Sequence, residues 1–154
     1  MDRNFFVSKS LSYLGCPAAN YRGPDLGRDI NGFDCSGFVH FILKELKYPG
    51  DIPRHAKDFF DYFGFLIHEQ FVLPGDLVFF SEDGVRPGHV AVMISADEYI
   101  HSPGMDGEKI CISKIEKEII RNTESKSQIY FYNPIGFKRI AIKSERRWQK
   151  VFLK

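Results

Sequence analysis

Cys35 and two histidines, His89 and His101, are the residues whose types and spacing could do chemistry. A nucleophilic cysteine acts as a thiolate, and the partial positive charge and exposed N–H groups of a helix N-terminus favour that form. Asp34-Cys35-Ser36-Gly37-Phe38-Val39 puts Cys35 at such a place, because Phe38, Phe41, Ile42 and Leu46 recur behind it at helical spacing and Pro49-Gly50 ends the run. The same N–H groups can hold the oxyanion formed when sulfur adds to a carbonyl, worth about 3 kcal/mol per donor. Taken alone, Cys35 reads equally well as a small buried hydrophobe.

A thiol also needs a base, and the base needs a third group to orient it. In the run 89–94, alternation puts His89, Ala91 and Met93 on one face and Val90, Val92 and Ile94 on the other. Ser95, Ala96 and Asp97 supply a turn, and folding the hairpin back through 98–101 brings His101 nearly opposite His89. His40, His55 and His68 read as ordinary surface or core residues, His40 on the polar side of the Cys35 helix. A zinc site made of Cys35, His89 and His101 would lack a nearby carboxylate and any short-spaced Cys or His pair.

The elements that must position these groups follow from pattern. Residues 4–14 predict a first helix behind an Asp2 cap. Residues 16–32 hold too many Gly and Pro for a regular element and form a long ordered loop. Pro53 to Gly64 predicts a short helix. Six β-rich runs then follow, at 76–81, 89–95, 98–101, 109–113, 129–132 and 137–142. Helices followed by a meandering antiparallel sheet make an α+β domain.

At 154 residues with 44% hydrophobic and 15% aromatic content, the chain suits one domain with a real core, over residues 1–142, followed by a basic tail at 143–154. That tail, with Arg146, Arg147, Lys150 and Trp148, reads as solvated. The charged stretch 113–128 reads as surface with a short helix and a loop. A formal net charge of +1, from 21 basic and 20 acidic residues, argues against a nucleic-acid binder steered by bulk charge. Three cysteines, Cys16, Cys35 and Cys111, leave at least one free thiol. No signal-peptide pattern and no membrane-spanning run is visible, so the reading leaves three settings open: the cytosol, a leaderless form, or delivery by another machine.

With these residues placed, the chain resembles the NlpC/p60 family from about Phe5 to Arg139. The likeness rests on an ordered series. Tyr21 and Gly23 resemble its Tyr-x-Gly segment, residues 32–39 (Gly-Phe-Asp-Cys-Ser-Gly-Phe-Val) its nucleophile motif, and Ile52-Pro53-Arg54 its Pro-Arg turn. Residues 73–80 (Leu-Pro-Gly-Asp-Leu-Val-Phe-Phe) are similar to its strand-entry motif, Gly88-His89-Val90-Ala91-Val92 to its base motif, and Ile100-His101-Ser102-Pro103 to its third-residue motif.

The resemblance implies a papain-like α+β domain, with N-terminal helices including the nucleophile helix packed on a central antiparallel sheet. It also implies a cysteine peptidase cutting peptidoglycan stem peptides or related γ-glutamyl peptides, often between D-γ-glutamyl and a diamino acid. Cys35 would be the nucleophile, His89 the base and then acid, and His101 the orienting residue. Tyr21 would assist at the oxyanion or substrate, while Asp34 and Ser36 would hold the substrate's free amine or merely cap the helix. Arg54 and Asp76 read as structural, able to form a charge pair. The mechanism calls for no metal or organic cofactor. Two rivals remain: an amidase cutting between muramic acid and L-alanine, and a catalytically silent module that binds wall peptides.

Overall fold

The computed structural model describes residues 2–115 and 134–141. The expected strand at 129–132, most of the charged stretch 113–128 and the basic tail at 143–154 lie outside these described residues.

Helix α1 spans Arg3–Leu11, and the Asp2 side chain caps it by accepting the Asn4 N–H. Helix α2 spans Cys35–Glu45; the Asp34 carboxylate accepts the Gly37 N–H at its start. Its apolar face, Phe38, Val39, Ile42 and Leu43, is fully buried against the sheet. Helix α3, Ala56–Tyr62, inserts Phe59 into the same core.

The loop between α1 and α2 contains a short antiparallel pair, β1 (Arg28–Asp29) and β2 (Gly32–Phe33). The main sheet holds β3 (Phe65–Ile67), β4 (Leu77–Phe80), β5 (His89–Met93), β6 (Glu98–His101), β7 (Cys111–Lys114) and β8 (Pro134–Arg139). Its order is β3-β8-β4-β5-β6-β7, with every described pairing antiparallel.

Strands β4 and β5 are buried along their whole length, which is why 77–80 and 89–93 read as almost unbroken apolar runs. Leu77, Phe79, Val90, Val92 and Ile100 face the helices, while Val78, Phe80, Ala91, Met93 and Tyr99 form a second cluster on the opposite face. The fold class is the α+β arrangement expected.

Local departures have identifiable causes. Strand β3 escaped the sequence reading because it is three residues long and mostly exposed at the sheet edge. Strand β8 begins earlier than expected: Pro134, having no N–H, enters the strand at its first residue, beside a register shift between Phe79 and Phe80. His40 is buried at 8% exposure rather than on a polar face, with its Nδ1 2.9 Å from the Pro53 carbonyl oxygen.

Arg54 and Asp76 do not pair with each other. Arg54 pairs with Asp34, while Asp76, fully buried, accepts from Arg3, from Arg139 through two nitrogens, and from the Leu73 N–H. Asp76 thereby ties α1, the entry to β4 and the end of β8 together. Removing it takes away the buried carboxylate that two guanidinium groups share, so Asp76→Ala should lower the unfolding free energy by about 3–5 kcal/mol in a denaturant titration. A loss below about 1 kcal/mol, the range of surface substitutions, would contradict this role.

Candidate active site

Cys35 opens α2, and the backbone fixes where that opening lies. The Asp34 N–H donates to the Gly27 carbonyl at 2.8 Å, and a Cβ at Gly37 would stand only 1.9 Å from that same carbonyl oxygen. The first turn of α2 thus accepts only glycine at position 37. Arg54 locks the arrangement, donating to both Asp34 oxygens, to Ser36 Oγ and to the Pro24 and Leu26 carbonyls.

The Cys35 thiol meets the start of β5. Its Sγ is 3.8 Å from the Gly88 carbonyl oxygen, next to His89 at the start of the strand. Burial pushes the thiol up to about 11, with the Asp34 charge adding to the rise; hydrogen bonds from Val90 and Ser36 act in the opposite sense. At rest near neutral pH Cys35 is therefore a thiol.

His89 and His101 meet as an imidazole pair, Nε2 of the first 2.9 Å from Nδ1 of the second, with the rings nearly perpendicular. The register Val92↔Ile100 and Met93↔Tyr99 makes them diagonal neighbours, with His101 opposite Ala91 rather than His89. Both rings are 2% exposed, beside Phe80 and Tyr99. Burial, with His101 nearby, holds His89 well below the usual imidazole range; burial alone pushes His101 down to about 3. Both are neutral at rest.

A cleft of about 300 Å³ opens beside the thiol, lined by Tyr21, Asp34, Cys35, Ser36, His55 and Gly88 among others. Tyr21 is carried there by an extended passage in which Ala18 pairs with Glu108 on one side and Ala19 with Phe33 on the other. Its hydroxyl is 2.8 Å from His55 Nε2, and the Arg54 guanidinium lies over its ring. The expected residues therefore fall into two groups, Cys35, Tyr21, Asp34 and Ser36 on the cleft and His89 with His101 in the sheet beside it.

The sequence reading missed three residues here. His55 was read as ordinary, though its place directly after the Pro53-Arg54 turn was a usable signal. Ser113 and Cys111, which contact His101, carried no motif and are found only through the β6–β7 register. All three cysteines are free thiols, and among the described residues no three His, Cys, Asp or Glu side chains gather as a metal site would require.

Known proteins can be set beside this geometry. The family model described as "NlpC/P60 family" matches residues 22–127. The chain is 36% identical over 76 residues to the gamma-D-glutamyl-L-lysine dipeptidyl-peptidase of Bacillus cereus, covering 47% of this chain and 21% of that protein. It is 33% identical over 82 residues to the probable endopeptidase NlpC of Escherichia coli, covering 53% of this chain and 52% of that protein. The chain thus spans between a fifth and about half of the length of these relatives.

Among solved structures, an NlpC/P60 family protein from Bacillus cereus superposes with a TM-score of 0.67 at 28% identity, over 91% of this chain and 40% of that one. The NlpC/p60 domain of the peptidoglycan hydrolase SagA shares the fold with a TM-score of 0.66 at 22% identity, over 92% of this chain and all of that one. A family model matched across more than half of the chain, on a fold that these structures share, makes this chain a member of the NlpC/P60 family.

Proposed function

We propose that this chain is a cysteine peptidase that hydrolyses an amide bond in peptidoglycan stem peptides, the bond between D-γ-glutamyl and a diamino acid. The observation that carries the reading is the buried His89–His101 hydrogen bond on the strand whose backbone touches the Cys35 thiol. The similarity to a gamma-D-glutamyl-L-lysine dipeptidyl-peptidase of Bacillus cereus supports the choice of bond.

In this mechanism Nε2 of His89 is committed to His101, so Nδ1 takes the thiol proton as Sγ adds to the scissile carbonyl. The tetrahedral oxyanion sits at the N-terminus of α2, with the Cys35 N–H and the Tyr21 hydroxyl as donors. Collapse breaks the C–N bond, and the Nδ1–H of His89 protonates the departing amine. Water then adds to the thioester with His89 again as base, releasing the acid and restoring the thiol.

His101 orients the ring and accepts the Nε2 proton of the transient imidazolium. Asp34 and Ser36, at the cleft wall, would receive the free amine of the substrate's first residue. Asp34 is already shared with Arg54, so that amine joins an existing charge network.

Mass spectrometry of purified stem peptides, after incubation with the wild type and with Cys35→Ala, tests this reading. Cleavage after the D-γ-glutamyl residue by the wild type alone is the expected result. Hydrolysis by Cys35→Ala would remove Cys35 from its role, and intact peptides with both proteins would remove the reaction.

Two further outcomes follow from the site. Tyr21→Phe should reduce kcat by about 10²-fold if its hydroxyl serves the oxyanion, and an unchanged kcat would place it outside the chemistry. In the resting protein the raised thiol pKa means that Cys35 alkylation by iodoacetamide climbs with pH through the alkaline range, toward a midpoint of about 11. A rate already at its plateau in mildly acid buffer would instead reveal a preformed thiolate–imidazolium pair.

A further inference from the structure

The hydrogen-bonded chain does not end at His101. Its Nε2 lies 3.1 Å from Ser113 Oγ and 3.6 Å from Cys111 Sγ. In the β6–β7 register His101 stands opposite Cys111, and Tyr99 opposite Ser113. Alternation then places the Cys111 and Ser113 side chains on the same face of the sheet as the imidazole pair.

Proton positions in this chain are coupled. For His89 to act as a base through Nδ1, its neutral ring must carry the hydrogen on Nε2 and donate it to Nδ1 of His101. His101 Nδ1 must then be bare, so the His101 hydrogen sits on Nε2 and needs an acceptor in a buried place. Ser113 Oγ occupies that position. The opposite tautomer, with hydrogen on His101 Nδ1, would force His89 to carry its own hydrogen on Nδ1, the nitrogen that has to receive the thiol proton.

We infer that Ser113, backed by Cys111, is a positioning residue that fixes His101 in its Nε2–H tautomer and so keeps Nδ1 of His89 available as the base. The direction of donation runs from His89 Nε2–H to His101 Nδ1 and from His101 Nε2–H to Ser113 Oγ, with Cys111 Sγ 3.6 Å from the same His101 nitrogen. Among the described residues, the groups facing the pair include Phe80 on β4, Tyr99 on β6, and Cys111 and Ser113 on β7, with the Glu108 carboxylate acting on Cys111. Because burial holds both rings neutral near pH 7, it is the tautomer and not the charge that Ser113 controls. The inference rests on the proposed roles of His89 and His101.

Nitrogen-15 NMR of the imidazoles in the full chain near neutral pH tests it directly, with kcat and KM on the stem peptide as a second readout. Ser113 is half-buried on β7, which ends the sheet among the described residues, a site where alanine and threonine both suit the backbone. The wild type and Ser113→Thr should show a protonated Nε2 and a bare Nδ1 on His101. Ser113→Ala should show protonated Nδ1 appearing on His101, with kcat falling about 10- to 100-fold, KM nearly constant and Ser113→Thr restoring kcat.

A wild-type His101 protonated on Nδ1, or Ser113→Ala with wild-type imidazole signals, would overturn the inference. The wild-type spectrum decides the tautomer even if Ser113→Ala does not fold. If the wild type cleaves no peptide, the proposed reaction fails while the imidazole signals still answer the question about Ser113.

Discussion

The seating of the α2 N-terminus is the constraint on which the cleft depends. Asp34 caps the helix through the Gly37 N–H, anchors to the Gly27 carbonyl through its own N–H, and shares both carboxylate oxygens with Arg54. Arg54 also holds the Pro24 and Leu26 carbonyls and stacks over Tyr21, so a single guanidinium joins helix, loop and aromatic wall. Both partners are largely removed from water, where an ion pair costs desolvation and is maintained only when its remaining hydrogen-bonding capacity is filled. Here it is filled from five directions, which gives the cleft wall one defined geometry.

The second organising fact is that the thiol and both imidazoles are neutral at rest. The thiol is pushed up and both imidazoles are pushed down, all chiefly by burial. In the proposed mechanism charge develops only during reaction, when the helix terminus and the His101 lone pair are already aimed at it. Such preorganisation in a low-dielectric setting is worth more than the same dipoles in water.

Much of this was legible in the residues, for stated reasons. The Cys35 helix was visible because its apolar face repeats at helical spacing behind a capping aspartate. The imidazole pair was visible because alternation and a short turn leave few ways to fold residues 89–101. What the pattern could not supply was exact register: a hairpin shifted by two residues keeps the same faces, so His101 moved from opposite His89 to diagonal without losing contact.

Long-range partners were also invisible. Arg54 could be recognised as structural but not matched to Asp34 twenty positions away, nor Asp76 to Arg3 and Arg139, because charge pairing across a fold leaves no local trace. Strand β3 and the roles of His55, Cys111 and Ser113 belong to the same class, since each is defined by a neighbour from another element.

In the proposed mechanism Cys35 carries the acyl group between two half-reactions. Acid-quenching the wild-type protein with stem peptide in the first turnovers, then mapping the peptide fragments by mass, tests it most directly. A thioester-linked γ-glutamyl fragment is expected on the peptide containing Cys35 and on no other. Turnover of the same peptide with no adduct on Cys35, or with the adduct on Cys16 or Cys111, would contradict it.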